Sequence, residues 1–210
     1  MAIIRGMHAR LIKEQVETAL KRKGYAFFDG NKKYNLNLVG VRNSSGSAKK
    51  FDDTLLALYR NDDKDWEVLS CEITTEPGPS ILRKPINEAG TAILVPDQYR
   101  GVYKIDTHGG KNRHIALCQR NGPVKVYRDD DKDGIPETTG CEIQEGMFGI
   151  NIHRHARPDE KEYVGGSSAG CQVFKSSRQF VQFMSVCNRA ADKYGNSFTY
   201  TLIKEKDLQD

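Results

Sequence analysis

The sequence predicts a mainly β fold with two helices, its curved antiparallel sheet forming a sandwich or partial barrel. Three observations carry that expectation. Many short apolar or alternating segments are punctuated by glycine, proline and aspartate. Two stretches only have apolar residues at helical spacing. No composition break, internal repeat or low-complexity tract divides the 210 residues, so one domain over 1–210 is expected.

The elements follow in order. Residues 8–23 form a helix on spacing, with Leu11, Val16, Ala19 and Leu20 near one face and Gly24 ending it. In 34–43, Leu36 and Leu38 alternate with Asn35 and Asn37, a strand pattern; 43–50 is a polar loop. Segments 54–60 and 66–75 read as strands joined by the charged turn Asn-Asp-Asp-Lys-Asp, with Trp66 and Tyr59 as sheet packing. Glu-Pro-Gly-Pro-Ser (76–80) is expected to exclude regular structure. Strands follow at 91–95, 101–105, 114–119, 124–128, 147–153 and 171–174, completing a β-rich body over 34–174. A helix at 177–191 carries Phe180, Phe183, Met184, Cys187 and Ala191 on one face, and 197–203 is a closing strand.

Charge and cysteine content narrow the function classes. Lys+Arg 32 against Asp+Glu 28 gives a net charge of +4, compatible with an anionic substrate but not the concentrated basic stripe of a nucleic-acid binder. No apolar run approaches the ~18 residues of a membrane span. The first 24 residues lack the apolar core of a signal peptide, so synthesis in a cytoplasm is expected. The five cysteines (Cys71, Cys118, Cys141, Cys171, Cys187) are odd in number and lack CxxC spacing, which argues against a disulfide framework and a zinc site. Cys118 and Cys187 sit on apolar patterns that place them in the core. No cofactor or metal is called for.

The chemistry concentrates in 146–173. Phe148, Ile150 and Ile152 alternate with Gly149, Asn151 and His153, so the apolar set faces a core and Asn151, His153 and His155 share the other face, away from the hydrophobes. A solvated loop over 156–163 follows. Val-Gly-Gly-Ser-Ser-Ala-Gly then returns the chain to Cys171, eighteen residues after His153. A cysteine nucleophile needs a base that favours the thiolate, backbone N–H groups facing the developing oxyanion, and access. Two adjacent strands joined by this loop would bring imidazole and thiol within reach. His153 ends a strand, whereas His155 lies further into the loop with few contacts to hold its ring; a pre-positioned base is worth orders of magnitude in rate, so His153 takes the role and His155 is secondary.

At these residues the chain resembles the L,D-transpeptidases of YkuD type, whose signature is a strand ending in Ile-His-Gly and, after a loop, Ser-x-Gly-Cys-x-Arg. Ile152-His153 matches the first part and Ser168-Ala169-Gly170-Cys171 the second. The resemblance covers roughly 147–174. It implies the family's β-rich catalytic fold and a cysteine acyl-enzyme formed on peptidoglycan stem peptides, giving an L,D-carboxypeptidase, endopeptidase or transpeptidase. It implies Cys171 as nucleophile, His153 as general base, and the Gly170 and Cys171 N–H groups as the oxyanion hole in the Ser168–Cys171 turn. Arg154 stands where the family has glycine, Ala169 where it has histidine or serine, and Val173 where it has arginine. A bacteriophage-encoded enzyme would reconcile a wall substrate with the absence of an export signal. The rival reading, prompted by the three departures, is a non-catalytic virion or wall-binding protein that keeps the fold.

Two other segments carry polar clusters. His108, in Asp-Thr-His-Gly-Gly (106–110), is a second candidate site histidine on a surface hairpin. Asp129-x-Asp131-x-Asp133-Gly134 opens like a calcium loop, but Gly140 stands where the bidentate glutamate belongs and no flanking helices are expected, so a turn between strands explains it.

Overall fold

Strand pairing links distant parts of the chain in the computed structural model, which describes residues 2–109, 113–155 and 160–209. In chain order the elements are β1 (Ala2–Ile4), α1 (Gly6–Arg22), β2 (Asn37–Arg42), β3 (Asp53–Arg60), β4 (Trp66–Thr74), α2 (Pro79–Arg83), β5 (Thr91–Leu94), β6 (Gln98–His108) and β7 (His114–Gln119). There follow β8 (Val124–Asp129), β9 (Glu142–Gly146), β10 (Ile152–Arg154), β11 (Gln172–Phe174), α3 (Ser177–Tyr194), β12 (Phe198–Lys204) and a 3-10 turn at Glu205–Leu208. One sheet runs β4-β11-β10-β7-β6-β12-β2-β3, and β3 pairs back onto β4, closing an eight-stranded barrel; β1 pairs alongside on β4. β5, β8 and β9 form a separate three-stranded sheet. The mainly β fold is as the sequence predicts, but the curved sheet is closed and not wholly antiparallel. β10 pairs with β11, and β2 with β12, in parallel.

The barrel wall β2–β3–β4 is apolar on both faces. Leu55, Ala57 and Tyr59 alternate into the main core, where α3 contributes Phe180, Phe183, Met184 and Cys187. Leu56 and Leu58 turn the other way, into a second cluster with Ala9, Val16 and Leu20 of α1. Each large one among these, Leu, Val, Phe or Met, contributes roughly 1.5–3 kcal/mol by leaving water, so the two helices clamp this wall. α1 begins two residues before the expected helix and buries Val16, Ala19 and Leu20, but Leu11 is 57% exposed and lies off that face. α3 extends three residues beyond the expected 191, with the Ser176 hydroxyl accepting the Gln179 N–H at its start. Cys118 and Cys187 are fully buried, as expected.

Two expectations are corrected and one strand was missed. The segment 76–80 does not exclude regular structure: α2 starts at Pro79, whose missing N–H has no helical partner to lose in the first turn. β9 was not legible, because Glu-Ile-Gln-Glu-Gly carries one apolar residue and that residue, Ile143, is exposed. The strand expected at 147–153 shrinks to Ile152–Arg154. There the Gln119 side-chain oxygen accepts the N–H groups of both Gly149 (2.9 Å) and Ile150 (3.1 Å), taking the place of a ladder partner. No helix among the described residues is long and apolar enough to cross a membrane.

Candidate active site

Cys171 sits directly before β11, at the end of the turn through Ser168, Ala169 and Gly170. The Ser168 hydroxyl ties this turn, accepting the Gly170 N–H (3.2 Å) and donating to the Cys171 carbonyl (2.8 Å). Gly170 has φ +116°, and a Cβ there would lie 2.4 Å from the Ala92 carbonyl oxygen, so glycine is required on both counts. The Gly170 N–H is therefore occupied and unavailable to an oxyanion, which corrects the expectation for that donor. The Cys171 N–H has no partner among the described residues.

The parallel ladder pairs Ile152 with Gln172 and His153 with Val173. The strands bearing His153 and Cys171 are thus neighbours, but the thiol lies beside Asn151, two positions (~6.6 Å) short of the rung that holds the histidine. No hydrogen bond joins them. The Cys171 Sγ instead accepts the Asn151 N–H at 3.3 Å and donates to the Gly149 carbonyl at 3.5 Å. Residue Cys171 keeps some exposed surface, yet its sulphur is enclosed: burial pushes the thiol up to about 11, with Cys118 adding to the rise and the Asn151 N–H opposing it. A thiolate lowered by His153 is not what this environment produces.

His153 is 5% exposed, so the histidine expected on a face away from hydrophobes is buried. The cause is the β6–β7 hairpin, which pairs His108 with His114 and lays both rings over it. His108 stacks on His153 with ring centroids 3.8 Å apart, and His114 meets His153 at 5.9 Å. The His153 Nδ1 lies 2.6 Å from the Arg154 carbonyl, an acceptor only, so Nδ1 carries the proton and Nε2 the lone pair. Asn151 fixes His108 similarly. Its amide oxygen accepts the Gln119 N–H (2.8 Å), leaving its NH2 to donate to His108 Nδ1 (2.9 Å). Burial, helped by the neighbouring histidines, lowers His153 to about 3 and His108 to about 4 and holds both rings neutral.

His155, expected to be loosely held, is 2% exposed; the expected solvated loop beyond it falls partly on 156–159, outside the described residues. Gly110, in the hairpin segment of His108, is outside them too. Gln119, 1% exposed, was not legible as a site residue. It takes the N–H groups of Gly149 and Ile150 and donates to the carbonyls of Gly122 (3.0 Å) and Gly146 (2.9 Å), and so holds the approach to His153. Its signal in the sequence was a polar side chain at the inward end of an apolar strand.

A cleft of about 330 Å³ adjoins the Ser168–Cys171 turn, lined among others by Ile81, Ala92, Arg128, Phe148, Ile150 and Ala169. In the acidic turn, Asp131, Asp133 and Glu137 bring their oxygens within 4.8 Å of one another, all exposed. Glu137 takes part where Gly140 ruled out the standard loop. Asp129, Asp131 and Asp133 accept the N–H groups of Glu137, Asp133 and Ile135, which is turn chemistry. Searches of family models, curated proteins and solved structures give no match to this chain.

Proposed function

We propose that the chain is a cysteine acyl-transfer enzyme acting on peptidoglycan stem peptides, related to the L,D-transpeptidases. The observation that carries the reading is the orientation of His153: Nδ1–H held on the Arg154 carbonyl leaves Nε2 as a bare, neutral base on the strand next to Cys171. The free Cys171 N–H is a donor for an oxyanion. With both groups neutral at rest, the nucleophile forms only as the reaction proceeds. The Sγ–H leaves its Gly149 acceptor, its proton passes to Nε2, and sulphur attacks an amide carbonyl beside a D-centre. Collapse breaks the C–N bond, the leaving amine takes the proton from His153, and a thioester remains. Water or an acceptor amine, deprotonated by His153, then attacks the thioester and returns the proton to sulphur. Water gives a carboxypeptidase or endopeptidase, an amine a transpeptidase. The step requires the thiol to turn from Gly149 towards the histidine; catalytic hydrogen bonds are commonly long before substrate arrives.

The test is release or exchange of D-amino acids from purified muropeptides. Cys171→Ala and His153→Ala abolish it, and His155→Ala retains most of it. Full activity in Cys171→Ala, or none in the wild type on any muropeptide, overturns the reading. The rival, a non-catalytic wall-binding or virion protein, is favoured by one observation: a sulphur satisfied by Asn151 and Gly149 with its pKa raised. Sedimentation with insoluble cell wall but no turnover would support that alternative.

A further inference from the structure

Along β8 the side chains alternate inward and outward, with Val124 and Val126 buried and Lys125 exposed between them. The next inward position belongs to Arg128, which is 7% exposed. An arginine in a register that calls for valine pays for desolvation unless something compensates its charge. Inside the protein the compensation is incomplete. Nε donates to the Gln144 side-chain oxygen (2.8 Å) and Nη1 to the Gly90 carbonyl (3.2 Å), both neutral acceptors. The guanidinium lies 4.8 Å over the Phe148 ring. No carboxylate among the described residues comes within ion-pair distance; Glu142, its cross-strand partner on β9, acts on it only at longer range. Nη2 has no partner among the described residues, and Arg128 lines the cleft of about 330 Å³ beside Ala169.

The remaining walls define the carrier that an anion on Arg128 would need. Ile81, Ala92, Phe148, Ile150 and Ala169 are apolar, and Asn87 lies at the edge. The Asn87 side-chain oxygen is occupied by the Ala89 N–H (2.9 Å), which leaves its NH2 as a second donor on a residue that lines the same cleft. We propose that this cleft is a binding site for a carboxylate on a small apolar carrier, such as the C-terminal alanine of a peptide, with Arg128 as its cation. A planar carboxylate matches the guanidinium fork, and the volume suits a residue-sized ligand at the lower end of small-molecule pockets. The site uses none of the Cys171 chemistry, so it stands or falls apart from the acyl-transfer reading. Its position next to the Ser168–Cys171 turn would serve that reading by anchoring a peptide near the thiol.

Binding is measured by NMR or calorimetry on full-length Cys171→Ala, so that no turnover intervenes. The probes are N-acetyl-D-alanine, N-acetyl-L-alanine and the uncharged N-acetylalaninamide. At least one acid is expected to bind saturably with a Kd on the order of 1 mM, and the amide at least about tenfold more weakly. Arg128→Gln should cost about tenfold or more, and Arg128→Lys less, because lysine keeps the charge but not the fork. Should Arg128→Gln not fold, Ala169→Trp fills the cleft from its exposed side and should block binding equally. Equal affinity for acid and amide overturns the proposal, as does undiminished binding by the Arg128→Gln or Ala169→Trp variant, or the absence of saturable binding by either acid.

Discussion

Two walls of one barrel are built on different principles. In β2–β3–β4, strands of six to nine residues are held by apolar contact on both faces, with α1 on one side and α3 on the other. In β10–β11, strands of three residues combine buried apolar side chains (Ile152, Val173, Phe174) with polar ones buried beside them: Gln119, Asn151, Ser168 and Gln172. Apolar contact is non-directional and tolerates the exchange of one shape for another. Buried polar pairing fixes each donor against one acceptor, and so fixes ring tautomers and backbone amides that packing alone would leave free. The first wall rests chiefly on packing, the second on packing joined to directed hydrogen bonds around the candidate site.

The sharpest way to break that contrast is to damage the apolar wall. Leu58 is fully buried between β3 and α1, so Leu58→Ala should lower stability by about 2–5 kcal/mol, read as a drop in the urea midpoint. Activity per folded molecule should be unchanged; a selective loss of turnover would show that the walls are not separable.

Gln119→Met tests the other wall with a smaller effect. Methionine keeps the volume but leaves the Gly149 and Ile150 N–H groups without acceptors, a loss of about 1–3 kcal/mol. Amide exchange at Gly149 and Ile150 should accelerate, while amides of β3 stay protected. Uniform acceleration would mean that Gln119 supports the whole barrel and not the site.

The third contrast is a pH dependence, set on the polar side by two histidines and at the end of the apolar wall by a buried carboxyl. His153 and His108 have folded pKa values lowered from 6.5, so their contribution to stability is lost as pH falls from 6.5 through about 4 to about 3. Glu76, buried 3.8 Å from Arg42, behaves oppositely. Burial raises it from 4.5 to about 7, so its contribution is complete below 4.5 and is lost as pH rises to 7. Glu76→Gln should therefore raise the urea midpoint more at pH 7 than at pH 5. An equal change at both would show that Glu76 stays ionised in the folded protein.

How much could be read from the sequence follows the same division. The long apolar strands and both long helices were legible because alternation and helical spacing are local patterns, and tertiary packing reinforced them. Cys171 and His153 were legible as neighbours on adjacent strands. The two-residue offset between them was not, because register within a three-residue parallel pair leaves no local trace. Nor was the burial of His153 legible, since His108 and His114 cover it from a hairpin some forty residues earlier in the sequence. Leu11 misled for the opposite reason: it is apolar and close in sequence to the α1 stripe, but helical spacing turns it away from Val16, Ala19 and Leu20 and leaves it exposed.

Barrel closure also has a consequence for vectorial synthesis. β12 enters between β6 and β2, pairing antiparallel with the first and parallel with the second, and it follows every other strand in chain order. Until residues 198–204 emerge, β2 and β6 each present an unpaired edge to the surroundings. A nascent chain in that state is an open ribbon, exposed to pairing with its own kind. Joining β2 to β12 then spans most of the sequence, a contact whose loop-closure entropy makes it slow. The seam is the step at which a folding chain is most open to a chaperone, or to aggregation.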